Sequence, residues 1–295
     1  MARRRHLGTI WRRPSGSVSP RGGGRRGMNP LSLSYYTVPE LSPPDMVTVA
    51  ADQGCAHVGL RLLGGQPDGD PMPLLADPAL RREMKRCMAD RGVTALDANT
   101  ARVLPHTDLD AFRPFLEAAA ELGARHVLAT GDDPDGGRLA ARLGRLCDDA
   151  AGFGLTVQFE FVSWMSVPSA AAAARLIGRV GRPNIGIALD ALHYDRSGGT
   201  PAEVAAIPPG LFAYMHLCDA PRDHGTDRDS LLHTAVKERL FPGDGGIDLA
   251  GLLRALPPGL PLAIEIPTAT LARTMDAPAR VARAVAATRR LLAAL

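Results

Sequence analysis

No apolar run in this 295-residue chain is long enough to cross a bilayer as a helix, which excludes a helical membrane protein. None of its four cysteines (Cys55, Cys87, Cys147, Cys218) forms a C-x-x-C pair. That removes zinc-ribbon and thioredoxin-type chemistry and predicts reduced, buried thiols in a cytoplasmic protein. Aromatic residues reach only 4% and nowhere interleave with a basic stripe. A nucleic-acid partner is therefore not expected, and neither is a membrane partner. The glycine-rich phosphate fingerprint is missing after the first strand-like run, which argues against a dinucleotide-binding doubly wound sheet.

Acidic residues are absent from positions 1–27, which hold eight arginines. The formal net charge of +3 resides in that stretch, and the remainder of the chain is net acidic. Residues 1–27 are Arg-, Gly- and Ser-rich without periodicity, so a disordered tail is expected there. Leu7 to Trp11 is too short for the apolar part of a twin-arginine signal, and the stretch is poorly amphipathic for a transit peptide. The expected natural start is Met28, with the tail an artefact of start-site choice and 28–295 a single catalytic domain.

From there the pattern alternates. Eight short apolar runs read as strands: Leu31–Tyr36, His57–Leu62, Val93–Ala98, His126–Thr130, Leu155–Val162, Ile185–Asp190, Leu211–Leu217 and Leu262–Ile266. Between them lie amphipathic stretches such as Pro78–Arg91, Asp108–Leu122, Gly137–Gly152 and Pro168–Arg179. Gly92, Gly123 and Gly154 each follow such a stretch and precede a strand, as αβ turns require. The alternation predicts a single (β/α)8 TIM barrel of the α/β class. Asp219–Gly246 reads as a long irregular loop at the catalytic face.

Four of the later runs end in metal-ligand residue types: Glu160 in V-Q-F-E-F-V, Asp190 in G-I-A-L-D-A-L-H, His216 in Y-M-H-L-C-D-A-P-R and Glu265 in L-A-I-E-I-P. Charged groups at the ends of buried strands are costly unless paired or bound to a cation. In a barrel, residues at the C-terminal ends of different strands converge, so these four can meet. Three carboxylates and one imidazole suit one hard divalent cation such as Mn²⁺ or Mg²⁺. His193 and Arg222 flank the proposed ligands and read as substrate contacts, Arg222 as a fork for oxygen. Asp219 reads as an orienter of His216 or a partner of Arg222.

These motifs, with Ser197-Gly198-Gly199 and the run Pro242 to Asp248, resemble the xylose isomerase-like TIM barrels of the sugar phosphate isomerase/epimerase superfamily. The resemblance covers residues of about 31–293. It implies that Glu160, Asp190, His216 and Glu265 bind one divalent metal ion (Mn²⁺, Mg²⁺ or Co²⁺). It also implies that His193 and Arg222 contact the substrate, and that Glu160 and Glu265 act as acid/base groups. The implied activity is isomerisation or epimerisation of a sugar or sugar phosphate through an enediolate. The alternative is a metal-dependent dehydratase acting on a cyclic keto-polyol or keto-acid such as inosose or 3-dehydroshikimate. The expected partner is thus a small carbohydrate or cyclic keto-acid, and a homo-oligomer stays open. Endonuclease relatives share the barrel but need a fuller set of first-half ligands than His57 and His106. The first half also departs from the sugar enzymes. Strand two reads H-V-G-L-R where many relatives carry a glutamate, and Arg61 and Arg102 there suggest an anionic substrate.

Overall fold

Eight parallel strands close into a barrel in sequence order: β1 (Leu31–Ser34), β2 (His57–Arg61), β3 (Thr94–Val103), β4 (His126–Gly131), β5 (Thr156–Glu160), β6 (Ile185–Asp190), β7 (Phe212–Leu217) and β8 (Leu262–Ile264). The computed structural model describes residues 29–65 and 70–295, and the arginine-rich stretch 1–27 lies outside the described residues. Each strand coincides with one of the eight apolar runs. The strands are buried on both faces, which is why they read as nearly continuous apolar runs rather than alternating ones. β3 is longer than its run predicts and continues to Val103, past a register irregularity between Ala98 and Ala101.

The helices pack outside the barrel and form one apolar layer with the outward faces of the strands. Their starts follow local chemistry. The carboxylates of Asp77, Asp135 and Asp276, like the hydroxyl of Ser169, each accept a backbone N–H of the first turn that has no helical acceptor. The helix expected from Asp108 begins instead at Arg113, after a 3-10 turn at Asp110–Phe112. Pro114 explains the shift, because proline fits the first helical turn, where its missing N–H leaves no bond unmade. The segment Asp219–Gly246 is not wholly irregular. It contains a helix, Arg228–Lys237, capped by Asp227.

Inside the barrel a second, smaller cluster joins Leu96, Leu128, Ala188, Tyr214 and Ala263. Polar side chains share that interior: the Tyr214 hydroxyl donates to Asp97 at 2.9 Å, and Gln158 Nε2 donates to Thr156 at 3.0 Å, while Gln158 Oε1 has no partner among the described residues. Gly186 faces Gln158 across the β5–β6 register. A Cβ at position 186 would lie 2.5 Å from Gln158 Oε1 and 2.6 Å from the backbone oxygen of Leu211. Backbone cannot yield as a side chain can. Gly186→Ala should therefore destabilise the protein by ~1–3 kcal/mol, the usual range for overpacking. Chemical denaturation checks this, and an unchanged midpoint would show that the interior is looser than described.

Candidate metal centre

Glu160 is the last residue of β5, Asp190 the last of β6, His216 the penultimate residue of β7, and Glu265 follows β8 directly. Asp190 and His216 are register partners, which sets them side by side. One donor atom from each of the four lies within 4.8 Å of the others. His216 Nδ1 is 2.8 Å from Glu160 Oε1, 3.7 Å from Glu265 Oε2 and 3.9 Å from Asp190 Oδ2. Asp190 is 0% exposed, His216 1% and Glu265 5%.

The electrostatics of the cluster call for positive charge. Burial alone would lower the His216 pKa, yet Glu265 and Glu160 outweigh it and raise the imidazole to about 10. A proton thus sits where three carboxylates converge. Burial raises the Glu160 pKa, against the bond from His216, and Asp190 and Glu265 raise it further. Burial works in the same direction on Asp190. There Arg239, His193 and His216 prevail and hold the carboxyl well below its usual range. A hard divalent ion has ligand distances of ~2 to 2.6 Å and takes this donor set, so the four residues could hold one such ion.

Arg239 is the residue of the cluster that sequence reasoning missed. It is 5% exposed, and its Nη1 donates to Asp190 Oδ2 at 2.6 Å while Nη2 lies 3.3 Å from Glu265 Oε2. Its backbone belongs to a strap, Glu238–Leu240, which bridges Asp219 on one side and Thr268 on the other. The signal in the sequence was slight: one arginine beside the short apolar pair Leu240-Phe241, ahead of Pro242-Gly243.

Asp219 has a different task from the one its spacing suggested. It is buried, and its carboxylate accepts the backbone N–H groups of Ala220, Gly243, Gly245 and Ile247. It therefore ties down the glycine-rich segment that follows the strap. The same ties turn the chain outward after Ala220. Arg222 is exposed and packs by Gly246, and it does not line the cavity above the cluster. The geometry does not bring Arg222 to the other site residues. The reason is that backbone bonding to Asp219 fixes the direction of this loop.

His193 is brought in. It is buried, its backbone N–H donates to Asp190 Oδ1 at 3.0 Å, and its ring meets Trp164 edge-on at 5.0 Å. Burial, reinforced by Arg239 against the pull of Asp190, lowers its pKa to about 4, so the ring is neutral near pH 7. Its Nδ1 is buried without a partner among the described residues. The cavity has a volume of about 410 Å³, within the range of small-molecule sites. Glu160, Glu265, His193 and Arg239 share its wall with Trp164, Val162 and the helix residues Leu232 and Val236.

A family model described as "xylose isomerase-like TIM barrel" matches residues 47–291. A curated 3-dehydroshikimate dehydratase of Pseudomonas aeruginosa is 34% identical over 121 residues, which is 39% of this chain and 18% of that protein. The chain therefore spans less than a fifth of that relative's length. Among solved structures, a zinc-bound IOLI protein superposes with a TM-score of 0.76 at 18% identity, covering 90% of this chain and 98% of the other. The D-allulose 3-epimerase of a Methylomonas species, in complex with D-allulose, does so with a TM-score of 0.66 at 17% identity, covering 90% and 97%. At such identities the likeness is one of fold.

A cluster of this kind should bind about one divalent ion per chain, and chelation should lower the melting temperature, because the ion binds the folded state. Asp190→Ala and Glu265→Ala should each abolish binding while the barrel still folds. Metal analysis beside thermal melts tests this, and full occupancy in both variants would disprove the four-residue site.

Proposed function

This chain belongs to the xylose isomerase-like TIM barrels, and from that premise we propose that it is a divalent-metal-dependent isomerase or epimerase of a small polyhydroxylated carbonyl compound. One observation carries the reading. Glu160 and Glu265 come from strands separated by β6 and β7, yet both reach the ligand cluster and both line the cavity. A substrate bound there lies within reach of two carboxylates.

A Mn²⁺, Mg²⁺ or Co²⁺ ion held by Glu160, Asp190, His216 and Glu265 would polarise the substrate carbonyl and acidify the adjoining C–H. The side chains supply the rest. Glu160, whose proton affinity is raised by burial, takes the proton. Glu265, fixed by the Ser34 hydroxyl at 2.8 Å, relays a proton from solvent back to carbon, while the one on Glu160 is released to solvent. Return to the opposite face of the same carbon is epimerisation, and return to the neighbouring carbon is isomerisation. His193 is neutral and lines the cavity, where it positions a substrate hydroxyl. Arg239 holds Asp190 and Glu265 in place. Trp164 and Val162 exclude water. Arg222 has no part in this scheme.

A second reading, dehydration of a cyclic keto-acid or keto-polyol, is favoured by the stretch similar to 3-dehydroshikimate dehydratase. The same proton abstraction would then be followed by loss of a β-hydroxyl, with His193 or a glutamate supplying its proton. Metal-loaded protein should be screened in deuterated water against ketoses, inososes and 3-dehydroshikimate. Deuterium at the carbon beside the carbonyl without mass loss reports isomerisation or epimerisation. A conjugated ultraviolet-absorbing product reports dehydration. With the substrate in hand, Glu160→Gln and Glu265→Gln should each lower turnover ~10²–10⁴-fold. His193→Ala should retain metal and lose ~10²-fold. Wild-type rates in all three variants would place the chemistry elsewhere.

A further inference from the structure

The cavity has two electrical poles. One is the ligand cluster with Arg239. The other is formed by Arg61 at the end of β2 and Arg102 near the end of β3, with Arg228 on the rim. Among the described residues that line the cavity, the acids are Glu160 and Glu265. Once a divalent ion is bound, the three ligand carboxylates are balanced by that ion and Arg239 together. Arg61, Arg102 and Arg228 then have no counter-charge among the described lining residues. None of them takes part in an ion pair among the described residues.

Arg61 is the informative member. It is 8% exposed, although a buried unpaired cation is costly. Its Nη1 donates to Thr100 Oγ1 at 3.2 Å, and its guanidinium lies 4.8 Å over the Tyr36 ring. These contacts fix the direction of the fork and leave its other N–H groups without a protein acceptor among the described residues. Tyr36 stands between the poles. Burial raises its hydroxyl pKa, Arg61 pulls it down, Glu265 and Glu160 push it up, and Arg102 pulls it down again.

We propose that the substrate carries an acidic group, a carboxylate or a phosphate monoester, which docks on Arg61 and Arg102 while its carbonyl end lies at the metal centre. The inference rests on the metal-centre reading given above and deepens it. A fixed guanidinium fork matches two oxygens of such a group. A neutral sugar would leave the arginines unpaired, so the cavity selects against it. The docked acid also sets which carbon lies beside Glu160 and Glu265.

Two probe pairs test this by calorimetry on the metal-loaded full chain at constant ionic strength. Catechol and 3,4-dihydroxybenzoate present the same planar pair of oxygens, which mimics an enediolate, and differ by one carboxylate. D-ribulose and D-ribulose 5-phosphate differ by one phosphate. The charged member of at least one pair should bind ~10-fold or more tighter, as charge-assisted hydrogen bonds imply. The pair showing the gap identifies the acid. Arg61→Met should close that gap and leave the neutral probe's affinity unchanged. Arg102→Met, at a less buried position, should narrow it even if the Arg61 variant folds poorly. Equal affinity within both pairs, or a gap that survives both substitutions, overturns the anion subsite alone. Failure to bind metal, with loss of catechol and dihydroxybenzoate binding alike, overturns the functional reading and the subsite with it.

Discussion

The structure depends on how negative charge is tolerated at the mouth of the barrel. Asp190, Glu265 and Glu160 approach one point that little water reaches. An isolated carboxylate in such a place is costly to ionise, and three together repel one another. The surrounding elements each answer part of this. The backbone N–H groups of Leu192 and His193 bind Asp190 Oδ1, the Ser34 hydroxyl binds Glu265, and Arg239 reaches both acids. Asp219 enters the same account indirectly. By holding the backbone from Gly243 to Ile247 it fixes the segment behind Leu240, and so fixes where Arg239 can lie.

The demand extends below the cluster into the barrel. His216 meets Tyr214 edge-on at 5.4 Å, and Tyr214 lies tilted against His126 at 5.6 Å. The Tyr214 hydroxyl bonds Asp97, whose carboxyl burial raises to about 6. Room for Asp97 comes from Gly59 on β2, where a Cβ would approach its Oδ1 to 2.8 Å. The glycine of H-V-G-L-R is thus an interior spacing device. The same strand then delivers Arg61, not an acid, to the cavity. One short strand combines close packing within the barrel with a change in the charge of the mouth.

Much of this was legible in the sequence because the controlling forces are local or periodic. Strands buried on both faces must be apolar throughout, and eight such runs separated by amphipathic stretches leave few architectures. Glu160, Asp190, His216 and Glu265 stood out because each interrupts or ends such a run. Arg239 lies on a strap held by tertiary bridges, with no periodic pattern around it. Arg222 was read from its distance to His216 along the chain, whereas its direction is decided by backbone bonds to Asp219, which is remote in sequence from their donors. The helix Arg228–Lys237 reads in the sequence as part of a long irregular piece because it is polar, and Leu232 and Val236 remain exposed on it. Its cap at Asp227 was the one local sign.

Arg239 also bears on the kind of ion the centre accepts. Its guanidinium is a permanent cation that does not lose its proton in a protein. It is already committed to Asp190 and Glu265, so it offsets one of the three carboxylate charges whatever else is bound. Two negative charges remain to be met. Without a metal, a proton on His216 meets one of them, as its raised pKa requires, and the raised pKa of Glu160 favours a second proton there. A divalent ion held there would meet both at once and displace those protons, because a ligating imidazole must be neutral and a ligating carboxylate ionised. A monovalent ion would leave charge uncompensated in a buried place, and a trivalent ion would overshoot it. On the proposed reading, the buried arginine would match the centre to a doubly charged cation through charge balance, before ligand geometry or softness discriminates among the divalent metals.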